Sequence, residues 1–179
     1  MQSAYKPCHS TETALLKVQN DILGLLDKGQ CVYLALLDLS AAFDTVDHEV
    51  LLEILESYVG IEGPALSLLR SYLTQRTQCV VVENIMSELV TLLYGVPQGS
   101  VLGPLKFCLY TLPLGAIVRH HGLKFHVYAD DTQLYIAFDH SDPDFALDKL
   151  NACISDIRSW MIKNKLKIND DKTEFLIIS

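Results

Sequence analysis

The sequence predicts an α+β fold, a mostly antiparallel sheet backed by helices. Three observations carry that expectation. CVYLALLDL is almost continuously apolar and short, as a central strand covered on both faces would be. FHVYADDTQLYIAF reads as strand, tight turn, strand. Several other segments place apolar residues at helical spacing.

In chain order, Ser10 or Thr11 caps a first helix with Glu12 in its opening turn. Leu15, Val18, Ile22 and Leu25 or Leu26 then recur at helical intervals, and Gly29 ends the run. The apolar strand follows. DHEVLLEILESYVG is an amphipathic helix from near Asp47 to Gly60, and a further helix runs from Pro64 to about Thr74. TQCVVVEN and SELVTLLYG are expected as the two strands of a hairpin. GVPQGSVLGP is a glycine- and proline-rich loop that opens a helix at Pro104. VLGPLKFCLYTLPLGAIV carries one charge, Lys106, but Pro104, Pro113, Gly103 and Gly115 interrupt it, and no basic flank orients it. It reads as buried helix, with no membrane span expected. SDPDFALDKLNACISDIRSWMIKNK is the last helix and TEFLIIS the last strand.

Of 179 residues, 50% are hydrophobic and 20% charged, which suits a globular domain with a sizeable core. A mean hydropathy of +0.23 hints at apolar faces that a partner or further segment covers. Fourteen Lys and Arg against 22 Asp and Glu give a net charge of −8. That balance argues against nucleic-acid binding by overall charge, so any such role rests on a local site. The five cysteines form no CxxC pair, which suits thiols in a reducing compartment rather than a zinc or disulfide framework. With no secretory leader expected before the first helix, the predicted location is intracellular, nuclear or cytoplasmic.

Asp130 and Asp131 sit side by side among aromatic and aliphatic residues. Burying unpaired carboxylates is costly, so the pair is either a solvated turn or a cation site. Val32, Leu34, Leu36 and Asp38 share one strand face, and an acid ending an apolar file hints that the sheet terminates at something charged. If the hairpin lies beside this strand, Asp38, Asp130 and Asp131 converge. Oxygen-only ligands of that kind suit Mg²⁺ or Mn²⁺ and two-ion phosphoryl transfer. Taken singly, Asp38 reads as a strand-end or turn-forming aspartate before it reads as a ligand, and Phe43 as a core anchor. The glycines at 95, 99 and 103 serve close backbone approach to a ligand or an ordinary helix entry. Lys172 is a phosphate contact or a solvated lysine. Asp44, Asp47 and His48 look structural, and His120 and His121 look like surface residues.

Together these residues resemble the reverse transcriptase domain of non-LTR, LINE-type retrotransposons, closest to jockey-like elements. LALLDLSAAFD is similar to the first palm motif, GVPQGSVLGP to the nucleotide and template loop, and YADD at 128–131 to the family's signature tetrad. NKLKINDDKTEF resembles the following lysine-bearing motif and QSAYKPCHSTETAL a fingers motif. The resemblance implies a right-hand polymerase palm (residues 31–179) with a partial fingers segment (residues 1–30). It implies RNA-directed DNA polymerase chemistry, with dNTPs added to a primer 3′-OH on an RNA template. Asp38 and Asp130 would hold two Mg²⁺ ions (Mn²⁺ a possible substitute), with Asp131 beside them. Lys172 would donate a proton or steady pyrophosphate, Phe43 would sit under the sugar, Gln98 and Gly99 would line the nucleotide and template side, and Lys6 would contact phosphate. Lys6 stands where relatives carry arginine, Ala4 where they carry glycine, and Lys106 where they carry an apolar residue. The partners implied are RNA template, DNA primer, dNTP and the thumb, remaining fingers and endonuclease segments of a longer polyprotein. Two alternatives stay open: a non-catalytic palm remnant acting as an interaction module, and an unrelated Mg²⁺-dependent phosphoesterase.

Overall fold

A computed structural model of the chain describes residues 2–40, 43–97 and 99–179. It falls into two units, one formed by Met1–Ala42 with Thr111–Ser179, the other by Phe43–Tyr110.

The first unit is built on a four-stranded antiparallel sheet, with β1 (Cys31–Leu37), β6 (Lys124–Tyr128), β7 (Asp131–Phe138) and β8 (Glu174–Ile178) in the order β6-β7-β1-β8. The apolar strand β1 is central, as its composition demands. Leu34 lies opposite Tyr135 and Leu36 opposite Gln133, so Val32, Leu34, Leu36 and Tyr135 share one face. Helix α1 (Thr11–Leu26) covers Val32, Leu34 and Tyr135 with Val18 and Ile22. On the other face Cys31 and Phe138 pack with Ala146 of α6 (Pro143–Lys163), against partly buried Tyr33 and Ile136. A helix α5 (Leu114–His120) also belongs to this unit.

The expected capping of α1 is present. Ser10 accepts from the Thr13 N–H at 3.2 Å, and Thr13 Oγ1 accepts from the Ser10 N–H at 2.8 Å. Its buried face is Ala14, Val18 and Ile22, spaced by four, while Leu15 is 59% exposed. The expectation that Leu15 belongs to the core file is therefore corrected: small Ala14 lets the helix lie close to the sheet, one position earlier.

The second unit holds α2 (His48–Ser57), α3 (Gly63–Leu73), four two-residue strands, and α4 (Leu102–Tyr110). Asp47 caps α2, its carboxylate accepting from the N–H groups of Glu49 and Val50. The expected hairpin arrives in pieces. β2 (Thr77–Gln78) pairs with β5 (Val90–Thr91), and β3 (Val81–Val82) with β4 (Ile85–Met86). Between them the Ser87 hydroxyl accepts from the Val80 N–H at 2.9 Å, a side chain standing where a ladder carbonyl would be. The apolar run 101–118 gives two helices, α4 and α5, rather than one. Pro113 has no N–H to continue the ladder, and the chain turns at Thr111. Among the described residues, no helix is long and apolar enough to cross a membrane.

Candidate active site

The face that α1 covers at Val32 and Leu34 continues, past Leu36 and Gln133, to Asp38 and Asp131. Leu36, Asp38, Asp131 and Gln133 line an open cleft of about 470 Å³, joined by Asp171, Lys172 and Glu174 from the segment entering β8. The convergence that alternation hinted at is therefore met by Asp38 and Asp131 at one end of the sheet.

Residues 167–169 run antiparallel to residues 38–40 and tie down the chain end that carries Asp38. The Ser40 N–H donates to the Lys167 carbonyl, Leu39 bridges Ile168, and the Asn169 N–H donates to the Asp38 carbonyl at 2.9 Å. The Asn169 side-chain amide then donates to Asp38 Oδ2 at 3.2 Å. Lys172 Nζ lies 3.7 Å from the same oxygen, its side chain 69% exposed and that of Asp38 22%. A 3₁₀ turn, Asp170–Lys172, brings the lysine round.

Asp130 occupies the two-residue turn between β6 and β7. The turn's first residue, Ala129, has φ +57°, left-handed and rare for a residue with a Cβ. Asp131 is exposed as a whole, yet partial desolvation pushes its carboxyl above the usual carboxylate range. The carboxylates of Asp130 and Asp38 add to that rise, and Lys172 opposes it. Mutual repulsion of this kind is relieved by a cation, and Lys172 already stands against Asp38 as one. Among the described residues, no three His, Cys, Asp or Glu side chains form a ready metal cage. An incomplete all-oxygen set still fits Mg²⁺, which is held by one or two carboxylates and completes its shell with water and substrate phosphate.

The other expected residues divide. Gln98 lies outside the described residues. Phe43 and Gly99 belong to the second unit. There Phe43 packs on Phe107, ring centroids 4.9 Å apart, and its carbonyl accepts from the Val96 N–H at 3.0 Å, tying the turn to the glycine-rich loop. Gly95, at φ +84°, is needed: a Cβ there would meet the Asp44 carbonyl at 3.2 Å. His48, buried, bonds the Gly95 carbonyl at 2.8 Å and has the structural role expected of it. Lys6 is exposed in the turns before α1 and does not line the cleft. Lys106 neither snorkels nor faces solvent; it is 2% exposed, its Nζ 3.1 Å from the centroid of the Tyr72 ring.

Asp171, Asn169, Glu174 and Gln2 escaped sequence reasoning. Asn169 and Glu174 flank Lys172 in a stretch singled out only for the lysine. Gln2 opens the QSAYK stretch and bonds the backbone of Ala129.

Residues 1–177 match the family model described as reverse transcriptase (RNA-dependent DNA polymerase). The chain is 29% identical over 177 residues, 96% of its length, to the probable RNA-directed DNA polymerase from transposon BS of Drosophila melanogaster. It is 34% identical over 133 residues, 73% of its length, to that from transposon X-element of the same species, and 28% identical over 176 residues, 96% of its length, to the RNA-directed DNA polymerase from mobile element jockey of Drosophila funebris. It spans 19%, 14% and 19% of those relatives. Among solved structures, apo telomerase from Candida tropicalis superposes with a TM-score of 0.71 at 18% identity, over 94% of this chain and 35% of that one. Telomerase from Candida albicans with a telomeric RNA fragment gives 0.71 at 16% identity, over 94% and 30%. That likeness is one of fold, and the expected α+β polymerase palm is the fold observed.

Proposed function

The chain belongs to the reverse transcriptase (RNA-dependent DNA polymerase) family, and from that premise we propose that it performs RNA-templated addition of deoxynucleotides to a primer 3′-OH. One observation carries the reading: Asp38 and Asp131 share an open cleft at the end of the sheet, with Asp130 in the adjoining turn and Lys172 3.7 Å from Asp38. In this reading residues 1–30 are a partial fingers segment and residues 31–179 the palm.

Asp38 and Asp130 would hold two Mg²⁺ ions, for which Mn²⁺ could substitute, and Asp131 would add negative charge beside them. When bound, such ions lower the cost of deprotonating the primer hydroxyl and offset charge on the departing pyrophosphate. The chain's own residues do the rest. Asn169 steadies the Asp38 carboxylate through its hydrogen bond to Oδ2. Lys172, 3.7 Å from Asp38 and with its side chain largely exposed, would reach the triphosphate and there steady pyrophosphate or give it a proton. Phe43, held by Phe107, excludes a ribose 2′-OH, while Gln98 and Gly99 line the nucleotide and template side. Lys6 contacts phosphate. RNA template, DNA primer and dNTP are the partners, and further segments of a longer polyprotein supply the phosphate grip that a net charge of −8 lacks. The setting is intracellular, nuclear or cytoplasmic.

The test is primer extension on an RNA template with Mg²⁺ and with Mn²⁺, comparing the purified chain with Asp130→Asn, circular dichroism confirming that both fold. Extension by the chain and at least a hundredfold loss in the variant is expected, about 3 kcal/mol of transition-state stabilisation. A folded chain that extends no primer, or a variant that extends as well, overturns the proposal in favour of a non-catalytic palm.

A further inference from the structure

Residues 2–4 run alongside β6, at the edge of the sheet. Gln2 forms a parallel bridge with Val127, and the Ser3 N–H donates to the Val127 carbonyl at 2.9 Å. Ser3 and Ala4 are buried, so the segment is anchored. From there the Gln2 side chain reaches the turn that carries Asp130. Its Nε2 donates to the Ala129 carbonyl at 3.2 Å; its Oε1 accepts from the Ala129 N–H at 3.1 Å and from the Ala4 N–H at 2.9 Å.

The two contacts on Ala129 are complementary. Its N–H belongs to the peptide plane shared with Tyr128, and its carbonyl to the plane shared with Asp130. Holding both planes fixes φ and ψ of the residue between them, and that residue sits at φ +57°, where alanine does not stay by preference. A primary amide is the side chain that can donate and accept at once in this way. We infer that Gln2 is a positioning residue for Asp130: it clamps Ala129 in the left-handed conformation and so sets where the next carboxylate stands. The inference rests on the reading of Asp130 as a metal ligand.

Gln2→Met keeps the side chain's length and apolar body and removes all three hydrogen bonds. Two readouts are taken on the purified chain: hydrogen exchange of the Ala129 amide by NMR, and Mn²⁺ affinity by electron paramagnetic resonance. Gln2→Met is expected to speed Ala129 exchange at least tenfold and weaken Mn²⁺ binding about tenfold, with Asp130→Asn weakening it further. Adding Ala129→Gly, which adopts φ +57° without steric cost, should recover most of the lost affinity; a merely structural role for Gln2 predicts no such rescue. The double variant also carries the test should Gln2→Met alone fail to fold. Faster exchange with unchanged Mn²⁺ affinity overturns the inference while leaving the metal site standing. Equal Mn²⁺ affinity in the unaltered chain and Asp130→Asn overturns the metal reading, and the inference with it.

Discussion

Lys106 is where charge and burial conflict most openly. Burial, and after it the charge of Arg76, pulls its amine down to about 8 from 10.5. The Tyr72 ring beneath it offsets part of the cost. Between pH 8 and 10.5 the unfolded chain keeps a proton that the folded chain has released, so stability rises with pH through that window. Lys106→Met should therefore be more stable than the natural chain by roughly 2 kcal/mol at pH 7 in urea unfolding. The gap should close as pH rises through the window; a constant gap would contradict the account. Phe43→Ala tests a second residue. Removing the ring that packs on Phe107 should raise the ratio of ribonucleotide to deoxynucleotide incorporation about tenfold or more, read as kcat/KM in primer extension. No gain would leave Phe43 as a core anchor alone. The carboxylates were legible in the sequence because an acid at the end of an apolar file, and two acids inside a hairpin, break a pattern that local physics enforces. Gln2 and Asn169 were not, since a side chain that bonds a backbone 127 residues away, or a carboxylate 131 residues away, leaves no period to read.

At the scale of elements, α1 closes one face of the sheet and its start depends on the Ser10–Thr13 box. Ser10→Ala should cost about 1 kcal/mol, seen as a lower urea midpoint with an unchanged slope. An unchanged midpoint would mean that packing of Val18 and Ile22 alone holds the helix. Helix positions and the β6–β7 turn followed from spacing and from short polar breaks. The hairpin of residues 77–91 did not resolve from sequence, because nothing in its alternation marks Ser87 as the residue whose hydroxyl interrupts the ladder. The split of residues 101–118 was signalled by Pro113, whose missing N–H outweighs the run's hydrophobicity. The choice of Ala14 over Leu15 as the buried position depends on how closely α1 approaches the sheet, which only the packed structure decides.

For the whole molecule, the high mean hydropathy has a visible counterpart. β8 is an edge strand, and Phe175 and Ile177 on one of its faces are 57% and 71% exposed. An open edge with apolar side chains is a template for association. The purified chain should associate as its concentration rises in light scattering, and Ile177→Lys should suppress this without lowering the melting temperature by more than a few degrees. A monodisperse natural chain would contradict that expectation. The proposed metal site lies in the cleft lined by Asp38, Asp131 and Glu174 of β8. It is tested most directly by Mn²⁺ titration, followed by electron paramagnetic resonance in the presence of a dNTP, of the chain and of Asp38→Asn. The account predicts saturable binding in the chain and at least a tenfold weaker affinity in the variant; equal affinities in two folded proteins would contradict it.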